Sequence, residues 1–266
     1  MSGRDLPALW LPLLERLTHR YPSWGLWKNA DDALQGRGDF DSTAPERDWD
    51  GITAEFASWA GAHGFGPVTG CREVAGVLFL VAVDPGSGTF FELDVNARKY
   101  WRGWTLFRPD DLAAVMEIDE RGFRRVRPGA EGVILLVQNG LRWGGRPNEE
   151  GLRRKKVREA LVSDPEGVGY TCELFGRAAG AVARGAEAVV RGQWDRRALL
   201  LAEGWALARA VLEPRVVLSR LEAKRVKKRC PVLRAVFDDR RLPPDEDAWL
   251  RAVARSHPVL DERARA

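Results

Sequence analysis

Two apolar runs, Val77 to Val83 and Thr89 to Val95, are separated by Asp84-Pro85-Gly86-Ser87-Gly88, a composition that turns a chain sharply. This pattern predicts a β-hairpin. It restricts the fold strongly, because two isolated strands are barely stable in water and need a larger sheet or a packed helix to bury a face. Although glycine-rich, the turn joins two strands and precedes no helix, so it is not a phosphate cradle.

Upstream of the hairpin, Leu9, Trp10, Leu13, Leu14 and Leu17 recur at helical spacing, which predicts one amphipathic helix from Leu6 to Arg20, closed by Tyr21-Pro22. Trp24 to Lys28 reads as a short buried strand. Asn29 to Leu34 reads as a helical turn, broken by Gly36-Arg37-Gly38. Ser42 or Thr43 can cap a helix whose first turn holds Pro45, Glu46 and Asp48 and which runs to about His63. Gly64 to Gly70 is then expected as a loop. Trp10, Trp59 and Trp205 sit at helical core spacing and Trp24 and Trp27 flank a strand, so packing is the expected role of these tryptophans.

Beyond Pro109 the period becomes helical, with segments expected near Asp110 to Ile118, Gly129 to Leu141, Asn148 to Leu161, Cys172 to Arg191, Arg196 to Leu212 and Val216 to Lys228. The fold class that follows is α+β. Residues 1–107 are expected to form a mixed sheet with flanking helices, 108–128 a linker, and 129–266 a helical domain.

No apolar stretch approaches the roughly 18 residues that span a bilayer, so no membrane segment is expected. Cys71, Cys172 and Cys230 show neither zinc spacing nor a disulfide framework, which favours a reducing, cytoplasmic setting. His19, His63 and His257 are isolated from one another and from cysteine. Any metal site must therefore use oxygen ligands. The net charge of +4 is unevenly divided, with acidic residues in excess before position 128 and basic ones after it. A basic run, Arg220, Lys224, Arg225, Lys227, Lys228 and Arg229, either faces a polyanion or is a solvated helix face.

The oxygen ligands suggest themselves at Asp39-Phe40-Asp41. Alternation along a strand sends Asp39 and Asp41 to one face, where they can converge on cations, while Phe40 packs on the other. Glycines at 36 and 38 let a phosphate approach the backbone. Asp-x-Asp alone is a weak signal. Asp48-Trp49-Asp50 has the same form, and there the carboxylates suit a helix start. The first pair has richer surroundings: helix, short strand, glycine turn, Asp-x-Asp strand, long helix and a hairpin bearing a further carboxylate in Phe91-Glu92-Leu93-Asp94-Val95.

That order of elements over residues 5–107 resembles the nucleotidyltransferase superfamily that includes DNA polymerase beta and small bacterial nucleotidyltransferases. The resemblance implies a site in which Asp39, Asp41 and Asp94 bind two Mg²⁺ ions against a nucleoside triphosphate, with Asp94 also acting on the acceptor hydroxyl. Glu92 shares a strand face with Asp94 and is the reserve for the third carboxylate. Where the family carries a Gly-Ser pair about ten residues before its aspartates, this chain has Lys28-Asn29. Lys28, Asn29, Arg37 and Gly38 are the residues expected to meet the triphosphate.

The function implied is transfer of a nucleotidyl group to an acceptor hydroxyl on a small molecule, a protein or an RNA. The alternative is a non-catalytic interaction protein, antitoxin-like or RNA-binding, that keeps the fold after losing the Gly-Ser pair. A sugar-nucleotide glycosyltransferase using Asp-x-Asp is disfavoured, because too little chain precedes the motif for the βαβ units such folds need.

Overall fold

The structure, a computed structural model, describes residues 5–212 apart from Ala75, together with Pro214 and Leu218. The basic run from Arg220 to Arg229 lies outside the described residues, as does the helix expected over Val216 to Lys228 except for Leu218.

Helix α1 (Leu6–Arg20) starts where the Asp5 carboxylate accepts a hydrogen bond from the Ala8 N–H, and it buries the apolar face read from its period. After it come β1 (Gly25–Lys28), α2 (Ala30–Leu34), β2 (Phe40–Thr43) and α3 (Trp49–Ala62). The expected cap of α3 is not made. Ser42 and Thr43 belong to β2, and their hydroxyls donate to the Asp94 and Asn96 carbonyls of a neighbouring strand. A 3₁₀ turn over Glu46–Asp48 leads into α3 instead. Asp48 and Asp50 stand at the start of α3, as the helix dipole favours.

Strands β3 (Val68–Val74), β4 (Val77–Asp84) and β5 (Thr89–Asn96) follow, and β4 and β5 form the hairpin that Asp84 to Gly88 turns. The Asp84 carboxylate holds this turn by accepting from the Gly86 N–H and the Ser87 hydroxyl. A second, short hairpin comprises β6 (Lys99–Trp101) and β7 (Trp104–Phe107). Residues 109–115 form a 3₁₀ helix, after which β8 (Met116–Ile118) and β9 (Arg124–Val126) pair antiparallel. The helix expected over Asp110 to Ile118 is thus a 3₁₀ turn and a strand. The stretch 108–128, expected as a linker, supplies two strands of the main sheet.

That sheet has seven strands in the order β3-β4-β5-β2-β1-β9-β8. The β2–β5 and β1–β9 pairs are parallel and the others antiparallel. The architecture is mixed α+β. One sheet face, including Leu26, Phe40, Leu80, Phe91, Leu93 and Val95, closes a core with α1 and α3. Trp10 and Trp59 stack there at 4.5 Å between ring centroids.

The later helices are α4 (Pro128–Gln138), α5 (Glu149–Leu152), α6 (Arg154–Ser163), α7 (Pro165–Glu173), α8 (Ala179–Val190) and α9 (Arg196–Ala210), with a two-stranded ladder of β10 (Leu141–Arg142) and β11 (Arg146–Pro147) between α4 and α5. Helix α4 is apolar along most of its length and is surrounded, as such a helix must be. Its core takes in Trp101, Trp104 and Phe107 from the short hairpin and Trp27 from β1. Trp205 departs from the expected packing and is 42% exposed on α9. No helix among the described residues is long and apolar enough to cross a membrane.

Candidate metal centre

Strand β2 lies parallel to β5 with Phe40 opposite Leu93 and Asp41 opposite Asp94. Phe40 and Leu93 enter the α1/α3 core. By alternation Asp41 and Asp94 both point from the other face, and Asp39 enters β2 on that same side. One carboxylate oxygen from each of Asp39, Asp41 and Asp94 lies within 4.8 Å of the others. Gly38, immediately before Asp39, holds φ at +126°, a conformation that L side chains rarely adopt, and no atom crowds its missing Cβ. The backbone entering the triad is therefore open to a ligand.

The electrostatics of the group are unusual. Asp41 and Asp94 are 3% and 8% exposed, and Asp94 Oδ1 has no hydrogen-bond partner among the described residues. Burial pushes the Asp94 carboxyl well above its ordinary range, and the charges of Asp41, Glu92 and Asp39 push it further. Burial also raises Asp41, with Asp39 adding to the shift and Lys28 opposing it. Two buried carboxylates and a third close by form a costly cluster unless cations meet them. An all-oxygen set of this kind suits Mg²⁺ or Mn²⁺, and the orphaned Asp94 oxygen is the atom such an ion would satisfy.

Lysines partly answer the charge. Lys28 Nζ stands 2.7 Å from Asp41 Oδ2, a close ion pair without well-aligned hydrogen-bond geometry. Its position comes from an irregularity in β1. Leu26 pairs with Ser42 and Lys28 with Asp41, so Trp27 is an extra residue in the ladder. This bulge lets Leu26 serve one core, Trp27 the other, and Lys28 the carboxylates. Lys28 Nζ lies 4.9 Å from the centre of the Trp27 ring and Lys99 Nζ lies 4.4 Å from it. Lys99, at the start of β6, also lowers the proton affinity of Asp41 and Asp94.

Of the residues expected to meet a triphosphate, Lys28 and Gly38 border the triad, whereas Asn29 and Arg37 are engaged elsewhere. The Asn29 N–H donates to Glu131 Oε1 at 2.8 Å, and Lys156 Nζ lies 3.2 Å from Asn29 Oδ1. Arg37 pairs with Asp32 at 2.8 Å. Asp32 also meets Arg153 at 2.6 Å and Lys156 at 2.7 Å, so it joins α2 to the start of α6. Glu92 is half-buried on the triad's face of β5 but is not one of the three clustered carboxylates. Lys99 was not legible in the sequence, since its place depends on how the short hairpin folds back.

Compared with family models, curated proteins and solved structures, the chain finds no match in any of the three. The functional reading rests on the geometry of the site.

Proposed function

We propose that the protein is a metal-dependent nucleotidyltransferase of the polymerase-beta type. The observation that carries this reading is the in-register pairing of Asp41 with Asp94 on parallel neighbouring strands, with Asp39 beside them. The order β1, glycine turn, β2, α3 and β4–β5 hairpin, on which the resemblance rests, supports it.

In the reaction, an acceptor hydroxyl oxygen attacks the α-phosphorus of a nucleoside triphosphate. A new phosphodiester bond forms, the α–β phosphoanhydride breaks, and pyrophosphate leaves. Asp39, Asp41 and Asp94 would hold divalent metal, which would supply positive charge to offset the phosphate oxygens. Asp94 orients the acceptor and takes its proton, a role suited to a carboxyl whose proton affinity burial has raised. Lys28 and the open backbone at Gly38 face the phosphates.

Incubation with each α-labelled nucleoside triphosphate, Mg²⁺ or Mn²⁺ and a cell extract tests the proposal. Label should pass to an acceptor, and Asp39→Asn, Asp41→Asn and Asp94→Asn should each abolish the transfer. The pairing of Lys28 with Asp41 favours a second reading, a non-catalytic nucleotide-binding relative. Metal-dependent triphosphate binding without transfer to any acceptor would select it. Absence of both binding and transfer would remove both readings.

A further inference from the structure

The chemistry around the triad bears on how many ions it takes. Transfer by two metals requires ions roughly 3.5–4 Å apart, both drawing on the same carboxylates. The repulsion between two dications is offset only where the surrounding charge is strongly negative. Here it is not. Asp39, Asp41 and Asp94 are accompanied by the Lys28 ammonium at 2.7 Å from Asp41 and by Lys99, whose Nζ lies 4.4 Å from the centre of the Trp27 ring. One of Asp41's two oxygens is already matched with a cation.

That cation is not an exposed lysine that solvent can draw away. The Lys28 side chain is 15% exposed, it stands over the Trp27 ring, and Trp27 itself is fully buried. The β1 bulge that aims Lys28 at Asp41 is set by backbone pairing on both sides of Trp27. Lys28 thus occupies a fixed position beside the central carboxylate, where a second dication would have to draw its ligand. At equal distance an ammonium repels a dication half as strongly as a second dication would.

We infer that Lys28 takes the place of one of the two metal ions, so that the centre binds a single divalent cation, with the ammonium supplying the second positive charge at Asp41. The inference rests on the carboxylate triad being a metal centre, and it departs from the expectation of two ions. Its consequence for the chemistry is a division of labour, in which the ion serves one part of the phosphate charge and Lys28, a residue of this chain, serves the other.

Electron paramagnetic resonance of Mn²⁺ bound to the full chain, with a non-hydrolysable nucleoside triphosphate analogue present, reads the number of ions directly. Two ions at bridging distance give a spin-coupled spectrum, and one gives that of an isolated ion. The wild-type chain and Lys28→Arg, which keeps the charge, should show an isolated ion. Lys28→Met should show a coupled pair. A coupled pair in the wild-type chain would overturn the inference and leave the metal centre standing, as would an isolated ion in Lys28→Met with native-like circular dichroism. Should Lys28→Met not fold, the wild-type spectrum and that of Lys28→Gln decide the matter in the same way. No bound Mn²⁺ in any chain would remove the metal centre and the inference together.

Discussion

Asp41 and Asp94 face each other across a parallel strand pair, register partner to register partner, in the interior of a seven-stranded sheet. Their neighbours in the same strands, Phe40 and Leu93, are also partners and anchor the opposite face in the α1/α3 core. Slipping the pairing by one residue would exchange the two sets, burying carboxylates among aromatics. Core packing therefore fixes the carboxylates against each other, and the fold bears their repulsion.

That repulsion predicts a stabilising mutation. Asp94→Asn keeps the size of the side chain and removes the charge that burial and three neighbouring carboxylates disfavour. In chelator, the variant should be more stable than the wild-type chain by on the order of 1 kcal/mol, or roughly 2–4 °C in Tm for a chain of this size. Thermal unfolding followed by circular dichroism measures it. A lower Tm for the variant would mean that the carboxylate is compensated without metal.

The same carboxyls set a pH dependence. For Asp94 and Asp41 the folded pKa lies above the ordinary 3.8, so the folded chain holds protons that the unfolded chain releases. Their contribution is most favourable at or below the unfolded pKa and is lost as pH rises through the folded values. Asp32 and Asp119 run the other way. Burial raises Asp32, but hydrogen bonds from Lys156 and Arg37 outweigh it and lower the pKa; the Arg121 hydrogen bond does the same for Asp119. Their stabilisation is present above 3.8 and fades as pH falls through the lowered values. Without metal, Tm should peak on the mildly acidic side and decline toward neutrality; Mg²⁺ should abolish that decline. A metal-free Tm that keeps rising through neutral pH would contradict the assignment.

The sequence revealed elements whose signal is local. Helix α1 follows from its leucine period, and the β4–β5 hairpin from its turn residues. The shared face of Asp39 and Asp41 follows from strand alternation, a property of the backbone itself, whereas Asp94 is implied by the family resemblance and alternation leaves Glu92 beside it. What escaped depends on distant partners. Strands β8 and β9 are three residues each, and Glu117, Arg124 and Arg125 give them no apolar pattern. Their charges are met from afar, since Arg124 donates to the Thr18, Tyr21 and Trp24 carbonyls and Arg125 pairs with Asp31 and Glu131. The partners of Asn29 lie on α4 and α6, more than a hundred residues away in sequence, and no local rule announces them. The bulge at Trp27 is equally silent, although it decides where Lys28 points.

The ionic junction at Asp32 gives a prediction about architecture. Its carboxylate is buried and meets Arg37, Arg153 and Lys156 at once. Asp32→Asn would remove the common partner of these cations, at a cost of about 1 kcal/mol, because Arg37 and Arg153 are exposed enough for water to take the carboxylate's place and Lys156 keeps Glu131 as a partner. Denaturant unfolding should show the loss as a lower midpoint. If the junction is structural, Mn²⁺ affinity at the triad should stay within about threefold of the wild-type value, a difference below 1 kcal/mol. A larger loss of affinity would tie this junction to the metal centre.

The choice between Glu92 and Asp94 as third ligand is open to a direct comparison. Both lie on the same face of β5, two residues apart, so alternation cannot separate them. Register can. Asp94 is opposite Asp41 on β2, and one of its oxygens falls within 4.8 Å of ligand atoms from both Asp39 and Asp41; Glu92 is outside this cluster. Glu92 nevertheless acts on Asp94 through its charge, helping to hold the Asp94 proton. The two substitutions should therefore have different consequences. If the triad holds metal as proposed, Asp94→Asn removes a charged oxygen that would ligate the ion, and metal-dependent protection against thermal unfolding should disappear. Glu92→Gln removes only a neighbouring negative charge, so the protection should persist with affinity reduced by less than tenfold, or about 1.4 kcal/mol. Titration of each variant with Mn²⁺, followed by Tm, checks both. Loss of the metal effect in Glu92→Gln with its retention in Asp94→Asn would move the third ligand one turn of the pleat along β5 and reverse the assignment.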